Sequence, residues 1–221
     1  MSRTFYTGVC LLVAVTLTPL GAASQTAERS RTEGLKETDR FVKAGDTTSQ
    51  AVAAAKLQVT KTLGSYNALV TQPSKNMKGD YKKLMSSMDD MNTKVAEARK
   101  TVVAMQTTGD TYFTGRAETI KGITDPALQG RAHERLTGSQ KDLADVLEAL
   151  RESGEALEPF RKELADHITY LGSDLTPTAT ASLKPEAEKL NTTGAEVFAK
   201  TDAAITRANA YFQGLRAQSS N

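Results

Sequence analysis

Leucine recurs every seven residues along one segment of the chain, six times without a miss. The positions are Leu136, Leu143, Leu150, Leu157, Leu164 and Leu171. A seven-residue repeat keeps one side of an α-helix against a partner helix, so this spacing predicts a long helix with a leucine seam. Pro159 lies inside the series and removes one backbone hydrogen bond, but the leucine spacing continues across it. We therefore predict one kinked helix here, not two.

Three further segments carry apolar or small residues at alternating steps of three and four, which places each set on one helix face. The first set is Thr38, Phe41, Gly45, Thr48, Val52, Ala55, Val59, Thr62, Tyr66 and Leu69. The second is Tyr81, Leu84, Met88, Met91, Val95, Ala98, Val102, Met105, Gly109 and Tyr112, with a bend expected near Thr107-Thr108-Gly109. The last is Leu183, Ala187, Leu190, Gly194, Val197, Thr201, Ala204, Ala208, Tyr211 and Leu215.

Prolines in polar surroundings separate these four segments. Pro73 marks the first turn, and Asp125 before Pro126 and Thr176 before Pro177 supply a capping side chain followed by a proline suited to the first helical turn. The predicted helices span about residues 26–70, 77–122, 126–173 and 177–217. Pro185 either belongs to the first turn of the fourth helix or bends that helix one turn later.

Four helices of similar length joined by short turns predict an all-α fold. Aromatic residues are only 5% of the chain and much of the hydrophobic fraction is Ala, so we expect slender rods of roughly 60 to 70 Å rather than a thick core. The pattern fits an elongated antiparallel four-helix bundle or two stacked coiled-coil hairpins, and it does not separate the two.

The first residues have a different pattern. Arg3 precedes the apolar run from Val9 to Leu17, and small residues follow up to Ala23. This order predicts a signal peptide over residues 1–23 with cleavage near Ala23, leaving a single helical domain over residues 24–221 in the periplasm or outside the cell. An uncleaved N-terminal membrane anchor is the alternative, and lipidation at Cys10 is a minor one because the residues before it fit a lipoprotein signal poorly.

Net charge and cysteine content argue against some partners and some kinds of site in the mature chain. The full chain has a net charge of +2, and removal of Arg3 with the leader leaves 27 basic and 26 acidic residues. Such a balance argues against a nucleic-acid partner, which would need clustered Lys and Arg. Cys10 is the only cysteine, so a cleaved chain has no thiol for a disulfide, a metal or a nucleophile.

The side chains needed for a catalytic or metal site are scarce. His133 and His167 are the only histidines, and both lie on one predicted helix about 51 Å apart, so they cannot share an ion. We interpret His167 as partly buried structure and His133 as solvated surface. The paired carboxylates Asp89-Asp90 and Asp142/Asp145 fit a solvated helix face. No phosphate-binding glycine motif and no nucleophilic triad is present, so we predict no enzyme, no cofactor and no catalytic, cofactor-binding or metal residues.

Five methionines in the mature chain raise the alternative of a soft-metal site. Met88, Met91 and Met105 fall on the second apolar series, so core packing is the better interpretation; Met77 and Met85 lie off it.

Residues between the last two predicted helices resemble a known bacterial family. Tyr170-Leu171, Leu175, Ala179 and Ala181-Ser182-Leu183 are similar to the family called domain of unknown function 2959, which has a Tyr-Leu, an Asn-Leu-Asn turn and an Ala-Ile-Ala-Ser-Leu run at this spacing. The departures are Asp174 and Thr176 in place of Asn, and Thr180 in place of Ile. The resemblance extends through the leucine-rich helix to Tyr211-Phe212. It implies an exported coiled-coil protein of Gram-negative bacteria and offers no catalytic residues.

These observations lead to an expected function. We expect a non-enzymatic scaffold or interaction protein of the bacterial cell envelope that binds a protein partner or itself and takes no small-molecule substrate. The alternative is a peripheral membrane protein that binds lipid through amphipathic helices, which would need a cationic face opposite large apolar residues.

Overall fold

The structure is a computed structural model that describes the backbone of residues 20–219 and the side chains of residues 32–218. Over that range the chain forms α1 (Leu20–Thr71), α2 (Met77–Lys121), α3 (Pro126–Ser173), α4 (Pro177–Ser182) and α5 (Lys184–Ser219). It divides into a unit Met1–Glu33 and a unit Gly34–Asn221, and the second unit contains the packed helices. Most of the predicted leader, residues 1–19, lies outside the described residues.

The four apolar series form the interior of the second unit, as predicted. All six leucines of the heptad series are buried, with at most 9% of each exposed. In the first series every position except Val52 is buried, including Thr48 and Thr62. Each large apolar side chain buried in this way stabilises the fold by about 1.5–3 kcal/mol. Every described residue of the unit lies in a helix or in a short connection between helices, so the all-α class is confirmed.

Polar contacts between helices show that α1 and α2 are antiparallel. The hydroxyl of Thr48 donates to the carbonyl of Thr101 over 3.0 Å, and that of Thr62 donates to the carbonyl of Ser87 over 3.0 Å. As the chain ascends α1, its partners on α2 therefore descend. The next pair, α2 and α3, is also antiparallel: Tyr81 donates to the carbonyl of Ile168, and further along α2 Asn92 accepts from Arg161.

The remaining two interfaces close the arrangement. Ser139 and Ser153 of α3 bond to Tyr211 and Thr201 of α5, respectively. Helix α5 returns to α1, where Asn67 bonds to Asn191 over 2.7 Å, and Arg216 pairs with Asp46 over 2.7 Å. Each long helix thus runs antiparallel to both of its neighbours. Of the two arrangements compatible with the sequence, the structure is a single up-down-up-down four-helix bundle.

The core of the bundle is split into two clusters along its length. One cluster, the turn-proximal core, contains Tyr66, Leu84 and Phe160 near the α1–α2 and α3–α4 turns. The other, the aromatic core, contains Phe41 and Phe212 near the α2–α3 turn. Every long helix contributes buried residues to both clusters, so they belong to one bundle.

Phe41 is the centre of the aromatic core. Its ring centroid lies 5.2 Å from that of Tyr112 and 5.1 Å from that of Phe212. Two glycines make room for these rings: Gly45 faces Phe212, and a Cβ at Gly109 would lie 3.0 Å from the ring of Phe41. Ring pairs at such distances add about 0.5–1.5 kcal/mol beyond the area they bury.

The predicted caps are confirmed. Asp125 accepts hydrogen bonds from the backbone N–H groups of Ala127 and Leu128, and Thr176 accepts one from Ala179. The turn after Pro73 ends at Asn76, which caps α2 through the N–H of Gly79. These side chains satisfy backbone donors that have no partner within the first turn of a helix.

Two predicted helix bounds differ from the structure. The segment predicted as one helix over 177–217 is divided into α4 and α5 at Leu183, because Pro185 has no N–H to donate to Ala181 and its ring crowds that carbonyl. Helix α1 begins at Leu20 instead of residue 26. Helix α2 is continuous through Gly109. Helix α3 is one helix through Pro159, as predicted. Within the described range, no helix is both long and apolar enough to cross a bilayer.

Candidate functional site

A groove lies between α2 and α3 beside the aromatic core. Its volume is about 480 Å³. The floor is apolar and formed by Phe113, Ala117, Leu143 and Leu147, with Ala144 exposed at its edge. The rim is polar and formed by Gln106, Asp110, Thr114, Glu118 and Gln140. We call this feature the α2–α3 groove.

The α2–α3 groove follows the helix axes. On α2 its residues run from Gln106 to Glu118, a rise of about 18 Å, or roughly three turns. Two acidic residues, Asp110 and Glu118, stand two turns apart on the α2 side of the rim. Glu118 pairs with Lys121 over 2.7 Å, but both side chains of that pair are mostly exposed, so the pair is weak.

A second groove, between α1 and α2, has the opposite charge. Its volume is about 240 Å³, and it is lined by Arg40, Lys43, Ala44, Thr47, Thr101 and Ala104. Arg40 and Lys43 are both exposed. The same end of the bundle therefore presents one acidic and one basic groove on adjacent faces.

A small cavity separates the turn-proximal core from the aromatic core. Its volume is about 80 Å³. Fifteen residues from α1, α2, α3 and α5 line it: Val52, Ala55, Lys56, Val59, Val95, Ala98, Arg99, Val102, Leu150, Ser153, Gly154, Leu157, Val197, Phe198 and Thr201. The lining is mainly apolar and rich in short side chains. We call it the waist cavity.

Two hydroxyl groups in the lining of the waist cavity satisfy each other. The Oγ of Ser153 lies 2.8 Å from Oγ1 of Thr201, and both residues are buried. Thr201 also donates to the carbonyl of Val197, so Ser153 is the donor in the pair. Since these polar atoms already have partners, the cavity favours an apolar occupant over water.

Cationic side chains stand at the edges of the waist cavity. On the α1–α5 side, Nζ of Lys56 contacts both carboxylate oxygens of Asp202 at 2.6 Å and lies 5.8 Å from the ring centroid of Phe198. On the α2–α3 side, Arg99 pairs with Glu158. Arg161 and then Arg99 bond to that carboxyl and hold the pKa of Glu158 below its usual value.

The two histidines have different surroundings. His133 is exposed. His167 is half-buried, and its Nδ1 lies 2.8 Å from the hydroxyl of Tyr66. Asp89 and Asp90 are exposed, and Asp145 pairs with Lys141. Among the residues that the structure describes, no three His, Cys, Asp or Glu side chains are grouped to hold a metal ion.

The methionines divide between core and surface. Met91 and Met105 are fully buried, Met77 and Met88 pack against the turn-proximal core, and Met85 is 45% exposed. The interpretation of Met91 and Met105 as core residues is therefore confirmed.

The sequence does not point to either groove or to the waist cavity. Its periodicity shows which face of each helix is buried, and the cavity depends on where the short residues of four different faces meet. The sequence feature that relates to the cavity is one short residue on each helix: Ala55, Ala98, Gly154 and Thr201. That these four lie at the same height along the bundle follows only from the pairing of the helices.

The comparisons with known proteins bear on the whole bundle. The family model described as Protein of unknown function (DUF2959) matches residues 26–215. The chain belongs to this family. The DUF2959 match begins within α1 and ends at Leu215, the last buried residue of α5, so it takes in all four seams and both grooves. The resemblance at Tyr170–Leu183 is thereby confirmed. No curated protein and no solved structure matches the chain.

Proposed function

We propose that this DUF2959 protein is a non-enzymatic scaffold or interaction protein of the bacterial cell envelope, and that it holds a helix of its partner in the α2–α3 groove. The observation that carries the proposal is the apolar floor of that groove, open at the surface between two helices. Export to the envelope is supported by the leader pattern of residues 1–23.

The dimensions of the α2–α3 groove suit a helical partner. Phe113 and Ala117 on α2 and Leu143 and Leu147 on α3 are each one turn apart, so their side chains form two parallel rows. An amphipathic helix of about three turns places its own apolar residues at the same interval and can lie between the rows.

The charge on the rim selects among such helices. Asp110 and Glu118 favour a partner that carries Lys or Arg beside its apolar stripe. A basic surface of this kind is also present on the protein itself, at Arg40 and Lys43. A second copy therefore matches the charge of the rim, but the apolar series of its α1 is buried in its own core, so a helix of a different protein matches the apolar floor better.

Site-specific photo-crosslinking in expressing cells tests the proposal. A photoreactive residue is placed at Ala117 or Ala144 in the groove, and at exposed Ala54 on α1 as a control. We expect discrete cross-linked products from the groove positions only, and their loss when Asp110 and Glu118 are both changed to Lys. The mass of the product shows whether the partner is a second copy. Equal cross-linking at Ala54, or none at the groove, would contradict the proposal.

Lipid binding remains the alternative function. The exposed large hydrophobic residues include Leu57 on α1, Met85 and Val103 on α2 and Leu128 on α3, so among the described side chains no single helix carries an exposed apolar stripe of several such residues. Co-sedimentation of the mature chain with anionic vesicles tests this alternative. Firm vesicle binding of the unaltered mature chain would favour lipid over a protein partner.

A further inference from the structure

We infer that the waist cavity is a binding site for a short straight-chain carboxylate, with the alkyl chain between the four helices and the carboxylate on Lys56. This site is separate from the α2–α3 groove, and its existence does not depend on the proposed function. Three properties of the cavity define the ligand: its volume, its lining and the charge at its edge.

The volume favours a thin chain over a ring. The waist cavity measures about 80 Å³, roughly half the volume of the engineered cavity that holds benzene in another protein. A benzene ring would have to push the helices apart, which costs energy because the interior is close-packed. The end of an alkyl chain, a few carbon atoms long, enters without that cost.

The lining favours an apolar chain. Val52, Val59, Val95 and Val197 present methyl groups from three helices. The only buried hydroxyls in this lining, those of Ser153 and Thr201, bond to each other and leave no donor pointing at the ligand. Each methylene that moves from water into such a space contributes about 0.8 kcal/mol to binding.

The edge of the cavity supplies a cation for the head group. Lys56 lines the cavity, and its side chain is only 26% exposed, so its charge is less screened than that of Arg99, which is 56% exposed. Its partner Asp202 is 59% exposed. A ligand carboxylate can replace Asp202 on Nζ, because Asp202 is the exposed partner and is hydrated again when it turns into solvent.

Methyl NMR of the folded mature chain tests the inference with hexanoate as the probe. We expect saturable shifts confined to the methyl groups of Ala55, Ala98 and Val197. Benzene should produce no such shifts, and 1-hexanol, which lacks the charge, should bind on the order of tenfold more weakly. Absence of hexanoate shifts at these methyl groups, or binding of benzene as tight as that of hexanoate, would overturn the inference.

Two variants separate the cavity from the head-group contact. A Cβ at Gly154 meets no atom within 4 Å and Gly154 lines the cavity, so the side chain of Gly154→Leu can start there without a clash and occupy the space, and Leu favours the helix. It should abolish hexanoate binding, whereas Gly138→Leu, on the same helix and equally open, should not. Lys56→Gln should weaken binding about tenfold, with Lys61→Gln unchanged. Retained binding in Gly154→Leu, or an equal effect of the two lysine changes, would refute the assignment.

Lys56→Gln changes a residue at the edge of the cavity and leaves the packed core intact. The binding measurement on this variant therefore tests the inference even if Gly154→Leu does not fold. Arg99→Gln is the companion variant. A loss of hexanoate binding there, with Lys56→Gln normal, would place the carboxylate on the opposite side and refute the role given to Lys56.

Discussion

The hydroxyl of Tyr66 lies 2.8 Å from Nδ1 of His167, and the two rings stack with their centroids 5.5 Å apart. Tyr66 belongs to α1 and His167 to α3, helices that face each other diagonally across the bundle. Tyr66 is fully buried. The contact therefore fixes the distance between two helices that are not neighbours, inside the turn-proximal core.

Removal of the Tyr66 hydroxyl should lower stability moderately. Tyr66→Phe keeps the packed ring but leaves Nδ1 of His167 without its partner, so we expect the free energy of unfolding to fall by about 1 kcal/mol. Urea denaturation followed by circular dichroism measures it. Tyr170→Phe is the control, since Tyr170 is 43% exposed. A Tyr66→Phe protein as stable as the parent would show that the bond contributes nothing.

Alkaline pH should destabilise the bundle through its buried tyrosines. Burial first, and then the nearby Glu186 and Glu163, raise the pKa of Tyr66; burial also raises the pKa of Tyr211. Above pH 10 the unfolded chain releases these protons and the folded chain keeps them, so the unfolded state binds fewer protons and stability falls as pH rises. Each tyrosine contributes a slope of at most about 1.4 kcal/mol per pH unit.

Thermal melts between pH 8 and 11 measure this effect, with the range set by the ordinary tyrosine pKa of about 10. The double variant Tyr66→Phe/Tyr211→Phe should be less stable at pH 8 but lose stability less steeply above pH 10. Equal slopes in the parent and the double variant would mean that other groups cause the alkaline loss.

Gly45 should not tolerate a methyl group. A Cβ there would overlap the ring of Phe212, which cannot move away because it packs against Phe41 and Tyr211. Overpacking of this kind costs about 1–3 kcal/mol, and the better helix propensity of Ala offsets at most about 1 kcal/mol of it. Gly45→Ala should therefore lower the melting temperature.

Gly64 provides the matched control on the same helix. A Cβ at Gly64 meets no atom within 4 Å, so Gly64→Ala should raise the free energy of unfolding by about 0.5–1 kcal/mol. If both changes stabilise the protein, the close approach at Gly45 is not a constraint.

The start of α3 should depend on one carboxylate. Asp125 accepts from the N–H of Ala127 over 2.8 Å and from that of Leu128 over 3.0 Å. Asp125→Ala removes both bonds and should cost about 1 kcal/mol, whereas Asp125→Asn keeps an accepting oxygen and should recover most of it. Chemical denaturation of the three proteins gives the comparison, and an Asn variant as unstable as the Ala variant would argue against capping.

Helix faces and caps could be predicted from the sequence because both are local. The step of three and four residues places Tyr66 and Leu69 on one side of α1 whatever surrounds them, and a Thr-Pro pair such as Thr176-Pro177 starts a helix by its own geometry. Of the two placements predicted for Pro185, the structure has the first: Pro185 lies in the first turn of α5. The separate short helix α4 before it is not predicted, because the fourth apolar series begins only at Leu183.

Contacts between helices could not be predicted in the same way. His167 was expected to be partly buried, and it is, but nothing in its own helix identifies Tyr66 as its partner. The partner depends on how far two helices slide past each other, which is fixed by the packing of many side chains at once. The grooves and the waist cavity also depend on the axial positions of the helices relative to each other, so they can be located only in the assembled bundle.

The ion pair between Arg216 and Asp46 brings the end of α5 beside the packed part of α1. The four long helices therefore form a closed ring in cross-section, in which each helix packs against two neighbours. A circular permutant that joins α5 through a flexible linker to Gly34, the start of the second unit, and opens the chain at the exposed turn between Thr71 and Met77 should keep the contacts among the four long helices. The packing of this bundle therefore depends on which helices are neighbours and not on the order in which the chain connects them.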